Sequence, residues 1–440
     1  MSLLYNKKLS NFKLISILHS LQHIILNMDQ NNAGKLKILQ VNKSYYPWVG
    51  GIETIIRQLS EGLQDETKLK VLSCQRKGGT TREIVHGVEV YRASSFGVVA
   101  SVPISVSFFF LFKKLSKNAD IVQFHAPFPL GDLACLLSGY KGKVVIWWHS
   151  DVVKQKKALI FYKPIMKRFL KRADLILVSS EGVAKGSHYL GPYMNKCKVI
   201  HFGCEKQKDR AGQRYLEIHG FDRHVVESIS YKQNITNDDE LFKEDICDKQ
   251  EPIENVKKPI EFLFEGRLIY YKGVSFLIEA FAKVKGNVHL TLVGAGKLEA
   301  ELKEKVQELG IEDKVTFAGF VPDEDIPRYF EQADVFVLPS IERSEAFALV
   351  QLEAMAYGIP VINTWLQSGV PEVSLDKITG LTVQPSDAGA LAEAMQWMVD
   401  HPEERVQMGM RGRQRVTDEF SEDKMVEQVY ETYQELCAKS

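Results

Sequence analysis

Residues 340–362 read SIERSEAFALVQLEAMAYGIPVI, and their reading decides the fold. The run VFVLP just before them (335–339) has the apolar make-up of a buried strand ending in a loop. From Ala346 to Ala356, apolar residues recur at helical spacing among good helix formers. Gly358 and Pro360 stop that helix, and VIN begins another strand. The unit is therefore strand, loop, helix, strand, with Glu345 at the mouth of the helix and Glu353 two turns along it. A helix starting at the carboxyl end of a buried strand aims free N–H groups into a crevice that suits phosphate. A carboxylate beside that point repels phosphate and accepts hydrogen bonds from hydroxyls instead. A polyol joined to a phosphate, as in a sugar nucleotide, meets both conditions.

The two glutamates, with the apolar filling between them and the flanking SEAFALVQLEAMAYGIPVI, resemble the paired-glutamate motif of retaining glycosyltransferases of family 4. That resemblance implies an α/β chain of two Rossmann-like parallel-sheet domains facing across a cleft, the GT-B architecture. The bland alternative makes Glu345 an electrostatic helix cap and Glu353 part of a solvated face. The length of the flanking match favours the motif.

Moving outward, 440 residues give room for two or three domains with sizeable cores. The six cysteines form no CxxC pair, which points to reduced thiols in a cytosolic protein and to no metal site. No apolar run reaches the length of a membrane-spanning helix. The net charge of zero conceals an asymmetry. Residues 1–205 hold about 29 Lys and Arg against about 13 Asp and Glu, and the remainder reverses the excess. A basic half implies phosphate or an anionic surface as partner. No nucleic-acid motif accompanies it, so no nucleic acid is expected.

Residues 1–34 differ from the rest and are read as a dispensable N-terminal extension, with Met28 as the natural start. An N-terminal domain follows over 35–204. Its first strand, KILQVN (37–42), runs into KSYYPWVGGIETIIRQLSEGL, where Gly50 and Gly51 at a helix start let backbone amides approach a phosphate. Strand-like runs then alternate with helical stretches, as in a parallel sheet. Two of these runs end in histidine: His125 in IVQFHA and His149 in VVIWWH, at the ends where ligands bind. Residues 153–172, VKQKKALIFYKPIMKRFLKR, form a basic helical stretch with interleaved apolar side chains. It reads either as an ordinary surface helix kinked or restarted near Pro164 or as an in-plane membrane contact. SFFFLFKKLSK (107–117) can assist such a contact or serve as a core helix.

Residues 205–258 are polar and aperiodic, a linker or insertion. The C-terminal domain, 259–420, opens with EFLFEGRLIYYKGVSFLIEAFAKV. Arg267 and Lys272 share a loop after its strand, Arg suited to a diphosphate as a fork and Lys as a point charge. Gly294 and Gly296 mimic a dinucleotide fingerprint, but Glu299 takes the third glycine position, against nicotinamide binding. A last helix, 421–440, is expected by resemblance to cross back to the first domain.

GRL-x-x-x-KG is similar to the family's donor-phosphate motif, and HSDVVKQKK to a subgroup in which a histidine lies near the donor sugar. The resemblance then implies these roles. Gly50, Gly51, Arg267, Lys272, Phe347, Ala348, Leu349 and Glu353 bind the donor, with Glu353 on the ribose hydroxyls. Glu345 holds the transferred hexose and His149 steadies charge near its ring. His125, Ser150 and Asp151 shape the acceptor side. No cofactor and no obligatory metal are implied. The partners would be a nucleotide sugar, a glycan or polyprenyl-linked acceptor, and an anionic membrane surface reached from the cytoplasm at the inner face of the plasma membrane. Ala346 and Ala348 stand where many members carry glycine, and neither is expected to need positive φ. Two other readings remain: a non-catalytic sugar-nucleotide-binding protein of this fold, and a sugar-nucleotide epimerase.

Overall fold

Alternation of buried strands with amphipathic helices builds two separate parallel sheets. The structure, a computed structural model, describes residues 34–48, 50–99, 102–151, 156–206, 208–212 and 258–438, with only the backbone at 156–158. Residues 1–33 of the N-terminal extension, Lys154, and residues 207 and 213–257 of the linker lie outside the described residues.

The first domain contains β1 (Lys37–Val41), β2 (Lys68–Cys74), β3 (Thr81–Val85), β4 (Val88–Ala93), β5 (Val98–Val99), β6 (Val102–Pro103), β7 (Ile121–Ala126), β8 (Lys143–Trp148), β9 (Leu175–Val178) and β10 (Cys197–Val199). Its main sheet has the order β10-β9-β8-β7-β1-β2-β4-β3, parallel except for the β3–β4 hairpin, and β5–β6 form a separate small hairpin. The helices are α1 (Gly51–Gly62), α2 (Ser107–Ser116), α3 (Pro129–Ser138), α4 (Lys156–Arg172) and α5 (Glu181–Gly186). Helix α4 runs through Pro164 as one helix, without the restart that one reading of the sequence allowed there. All six residues of β7 are buried, because helices cover both faces of a parallel sheet and leave no wet side.

The second domain has β11 (Ile260–Glu265), β12 (Val288–Val293), β13 (Val315–Gly319), β14 (Val335–Val337), β15 (Val361–Thr364) and β16 (Gly380–Val383), all parallel in the order β13-β12-β11-β14-β15-β16. Its helices are α6 (Val274–Phe281), α7 (Glu299–Glu308), α8 (Pro327–Gln332), α9 (Val350–Ala356), α10 (Val370–Val373), α11 (Ala388–Asp400) and α12 (Pro402–Glu419); α13 (Glu422–Ala438) closes the described chain.

In each sheet the strand order reverses beside the first strand, between β1 and β7 and between β11 and β14. Crevices open at such reversals. Both point their carboxyl-end loops at the same cleft. The chain passes between the domains twice, side by side: Cys204 donates its N–H to the Phe420 carbonyl at 2.7 Å and bridges to Ser421. From there α13 packs on α1, where Gln58 donates to Glu422 at 3.1 Å.

Candidate active site

A cleft of about 310 Å³ lies between the carboxyl ends of the two sheets. Its walls include Gly50 and Gly51 from the start of α1, Glu265 and Lys272 from the β11 loop, and Glu345, Ala348, Leu349 and Glu353 from the stretch after β14. Six sequence-designated donor residues are thus in one place: Gly50, Gly51, Lys272, Ala348, Leu349 and Glu353. Glu345 joins them.

The centre of the cleft is an ion pair. Lys272 Nζ lies 2.7 Å from Glu345 Oε2, which also accepts from the Ser340 hydroxyl at 3.1 Å. Burial works against the Lys272 charge, but the Glu345 carboxylate outweighs it and holds the ammonium above the ordinary lysine range. The loop before Lys272 turns at Gly266 (φ 152), and Gly273 (φ 70) starts α6, so the lysine points inward from a tight turn.

Glu353 accepts a 2.6 Å ion pair from Lys208, a residue of the segment read as linker. Residues 208–212 are helical, and Asp209 pairs with Arg413. Burial raises Glu353 above the usual carboxylate range, with Lys208 pulling the other way. Glu265, the last residue of β11, is pushed up to about 7 by burial and by the neighbouring Glu353 charge. Sequence reasoning missed both residues. Glu265 carried a legible signal, as the residue immediately before GRL at a strand's carboxyl end; Lys208, in an aperiodic polar run, carried none.

The helix beyond Glu345 starts at Val350 rather than Ala346. Residues 345–349 form an irregular loop in which Ala348 has φ 59, so the expectation that neither alanine needs positive φ is corrected. A left-handed alanine costs about 1 kcal/mol relative to glycine. Phe347 does not face the cleft. It is buried, with its ring edge-on to Phe202 at 5.1 Å and to Phe420 at 6.0 Å, and it anchors the loop by packing. Arg267 is exposed outside the cleft wall, donating to the Tyr271 hydroxyl at 3.0 Å.

The histidines lie behind the cleft. His149 is 5 % exposed, stacked on Phe202 with ring centroids 5.5 Å apart. His125 is fully buried and bonded to it at 2.9 Å, so it backs His149 and cannot touch an acceptor. Burial, then the Lys43 charge, lowers His149 to about 3 and keeps it neutral. Ser150 and Asp151 line a separate small recess with Arg343 and Gln367. Asp151 is occupied structurally, accepting from the Ser187 hydroxyl at 2.6 Å and the His188 N–H at 2.9 Å.

The domains also touch beside that recess. Glu372, in α10, accepts from the N–H groups of Glu181 (3.1 Å) and Gly182, capping α5 of the other domain. Side chains at Gly182 and Gly186 would run into the carbonyls of Ser368 and Gln367.

Two Rossmann-like domains joined over an acid-rich, cation-bearing cleft define a GT-B transferase. Known proteins agree. The family described as Glycosyltransferase Family 4 matches residues 49–207, and Glycosyl transferases group 1 matches residues 246–415. The chain is 31% identical to O-antigen chain mannosyltransferase C of Escherichia coli over 91% of its length and 99% of the relative. It is 31% identical to the D-rhamnosyltransferase WbpZ of Pseudomonas aeruginosa over 88% of its length and 92% of the relative. The fold matches Anabaena HepE in complex with UDP at a TM-score of 0.66, with 18% identity over 91% of this chain and all of that one. The chain belongs to these glycosyltransferases: it is an enzyme that transfers a sugar from a nucleoside-diphosphate sugar to an acceptor.

Proposed function

We propose that the chain transfers a manno-configured hexose or its 6-deoxy form, with retention of anomeric configuration, to a lipid-linked glycan in cell-surface polysaccharide synthesis. The observation that carries this reading is the Lys272–Glu345 pair set in one cleft with Glu353 and the Gly50–Gly51 amides. Lys272 supplies positive charge to the leaving diphosphate, where charge grows in the transition state. Released from Lys272, Glu345 accepts from hydroxyls of the transferred sugar. Glu353, two turns away, takes the ribose. Arg267 swings in from outside to complete the diphosphate contacts. With no carboxylate assigned as nucleophile, the acceptor attacks on the face the diphosphate leaves. The sugar class is supported by the mannosyl and rhamnosyl names of two relatives at 31% identity.

A surface of the first domain supports a lipid-linked acceptor. Phe96, Val98, Val99 and Val106 around the β5–β6 hairpin, Phe110 of α2, and Ile160 and Phe161 of α4 are exposed. Lys113, Lys114, Lys163 and Lys167 are exposed on the same two helices. Exposed apolar side chains with lysines on the same helices suit an anionic bilayer surface.

The experiment is a panel of nucleoside-diphosphate sugars offered with short polyprenyl-diphosphate glycans, the product linkage read by NMR. Transfer of mannose or rhamnose as the α-anomer from an α-linked donor is the expected result. An inverted product, or hydrolysis indifferent to acceptor, would overturn the reading.

A further inference from the structure

The cores of β1 and β7 hold polar side chains where leucine or valine would be cheaper. Gln40, Gln123 and His125 are each fully buried, and Tyr433 of α13 reaches them from the far end of the sequence. Their hydrogen bonds form a chain that ends on His149. Tyr433 donates its one hydroxyl proton to Gln123 Oε1 at 2.6 Å. Its oxygen is then free to accept from Gln40 Nε2, 3.2 Å away. That contact turns the other end of the amide, Gln40 Oε1, to His125 Nε2 at 2.9 Å. A carbonyl oxygen only accepts, so His125 carries its proton on Nε2 and presents a bare Nδ1. His149 Nε2 lies 2.9 Å from that Nδ1 and must donate to it. The Gln123 amide nitrogen stands farther from His125 Nε2, at 3.3 Å, and does not reverse this order.

We propose that Tyr433 is a positioning residue which, through Gln123, Gln40 and His125, fixes His149 as the Nε2–H tautomer and leaves its Nδ1 a hydrogen-bond acceptor. Nδ1 makes no hydrogen bond among the described residues. Its partner is a hydroxyl of the bound donor or acceptor sugar, which donates to the bare Nδ1; imidazolium or the opposite tautomer would reverse that bond and make the hydroxyl oxygen the acceptor. This step rests on the reading of His149 as a sugar-facing residue; the tautomer itself does not. A purely structural role would need only that each buried polar atom find a partner. Here the order of donors is set from one hydroxyl and transmitted in one direction, across two strands to the histidine behind the cleft.

The test is long-range proton–nitrogen correlation NMR on the full chain labelled with ¹⁵N-histidine, the His149 signals assigned with His149→Gln. Wild type should show His149 protonated on Nε2 alone and neutral between pH 6 and 8. Tyr433→Phe frees the Gln40 amide and should give a mixture of tautomers. Gln123→Met leaves the tyrosine proton to Gln40 Oε1, turns the amide over, and should invert the tautomer to Nδ1–H. Both variants should lose roughly tenfold in kcat with KM and nucleoside-diphosphate affinity unchanged. An Nδ1–H tautomer in wild type, or a tautomer indifferent to both substitutions, overturns the proposal. A shifted tautomer with unmoved kcat overturns the positioning role. If one variant misfolds, the other and the wild-type spectrum still decide. Absence of transfer from every donor would count against the function reading while the tautomer measurement stands.

Discussion

Lys272 and Glu345 neutralise each other at 2.7 Å in this structure, so a donor must separate them and take both. Lys272→Ala should lower kcat/KM by on the order of 10²-fold and weaken nucleoside-diphosphate binding. Glu345→Gln should damage transfer while leaving affinity for the free nucleotide nearly intact. Calorimetry with donor and product nucleotide separates these outcomes. Ala348 at φ 59 is a second single-residue effect. Ala348→Gly relieves the left-handed strain but enlarges the unfolded ensemble, so the net gain should be a few tenths to about 1 kcal/mol, read from urea unfolding. Glu265 makes stability pH-dependent. Burial and Glu353 raise it in the folded protein from the ordinary 4.5 to about 7, so the folded state retains a proton that the unfolded state has released between those values. Stability then falls as pH rises through that window, and the loss is complete above about 7. Glu265→Gln should flatten that decline, leaving the variant a few degrees more heat-stable than wild type at pH 8. His149 acts in the opposite sense. Kept neutral down to about 3, it contributes stability present above the ordinary histidine value and lost as pH falls below it.

At the scale of elements, the contact between α5 and the loop before α10 depends on glycine. Gly182 lets Glu372 cap α5 from the other domain, and a methyl there meets the Ser368 carbonyl. Gly182→Ala should therefore hold the domains apart. The expected outcome is about a tenfold loss of kcat/KM with a melting temperature within a few degrees of wild type, and a larger radius of gyration by small-angle scattering. Alternating strands and helices were legible in the sequence because buried parallel strands are continuous apolar runs, as in VVIWWH and IVQFHA. The cleft residues Glu345, Glu353 and Lys272 were legible because strand ends and glycine turns mark where loops meet ligands. The helix start at Val350 was misjudged by four residues. Ala346 to Leu349 have the composition of a helix, and only the tertiary packing of Phe347 on Phe202 and Phe420 pulls them out of one. The antiparallel β3, TREIV, was invisible, since an exposed edge strand carries no buried face to give it a pattern. His125 was assigned to the acceptor side because a sequence places a residue at a strand end without saying which side of the neighbouring histidine it occupies.

On the scale of the whole molecule, the basic excess of the first domain and the exposed apolar side chains Phe110 of α2 and Ile160 and Phe161 of α4 predict a salt-sensitive membrane contact. Sedimentation with phosphatidylglycerol liposomes should capture wild type at low ionic strength and release it as the Debye length shrinks. Changing Lys113, Lys114, Lys163 and Lys167 together to Gln should abolish capture and leave nucleotide-sugar binding unaltered. Indifference of wild type to anionic liposomes would make those lysines an ordinary solvated face and the acceptor a soluble glycan. The paired passage at Cys204 and Phe420 bears on how the gene can be divided. Anyone cutting the coding sequence between the two sheets to express halves would place the last helix with the second. Tyr433 and Val429, both fully buried, would leave the first half with them, exposing Gln40 and Gln123 to water from one side. The viable pieces are discontinuous: residues 34–204 rejoined to 421–438 through a short graft, and 258–420 alone. Because residues 204 and 421 lie next to each other at that crossing, the first piece can be closed by a few residues without rethreading the chain.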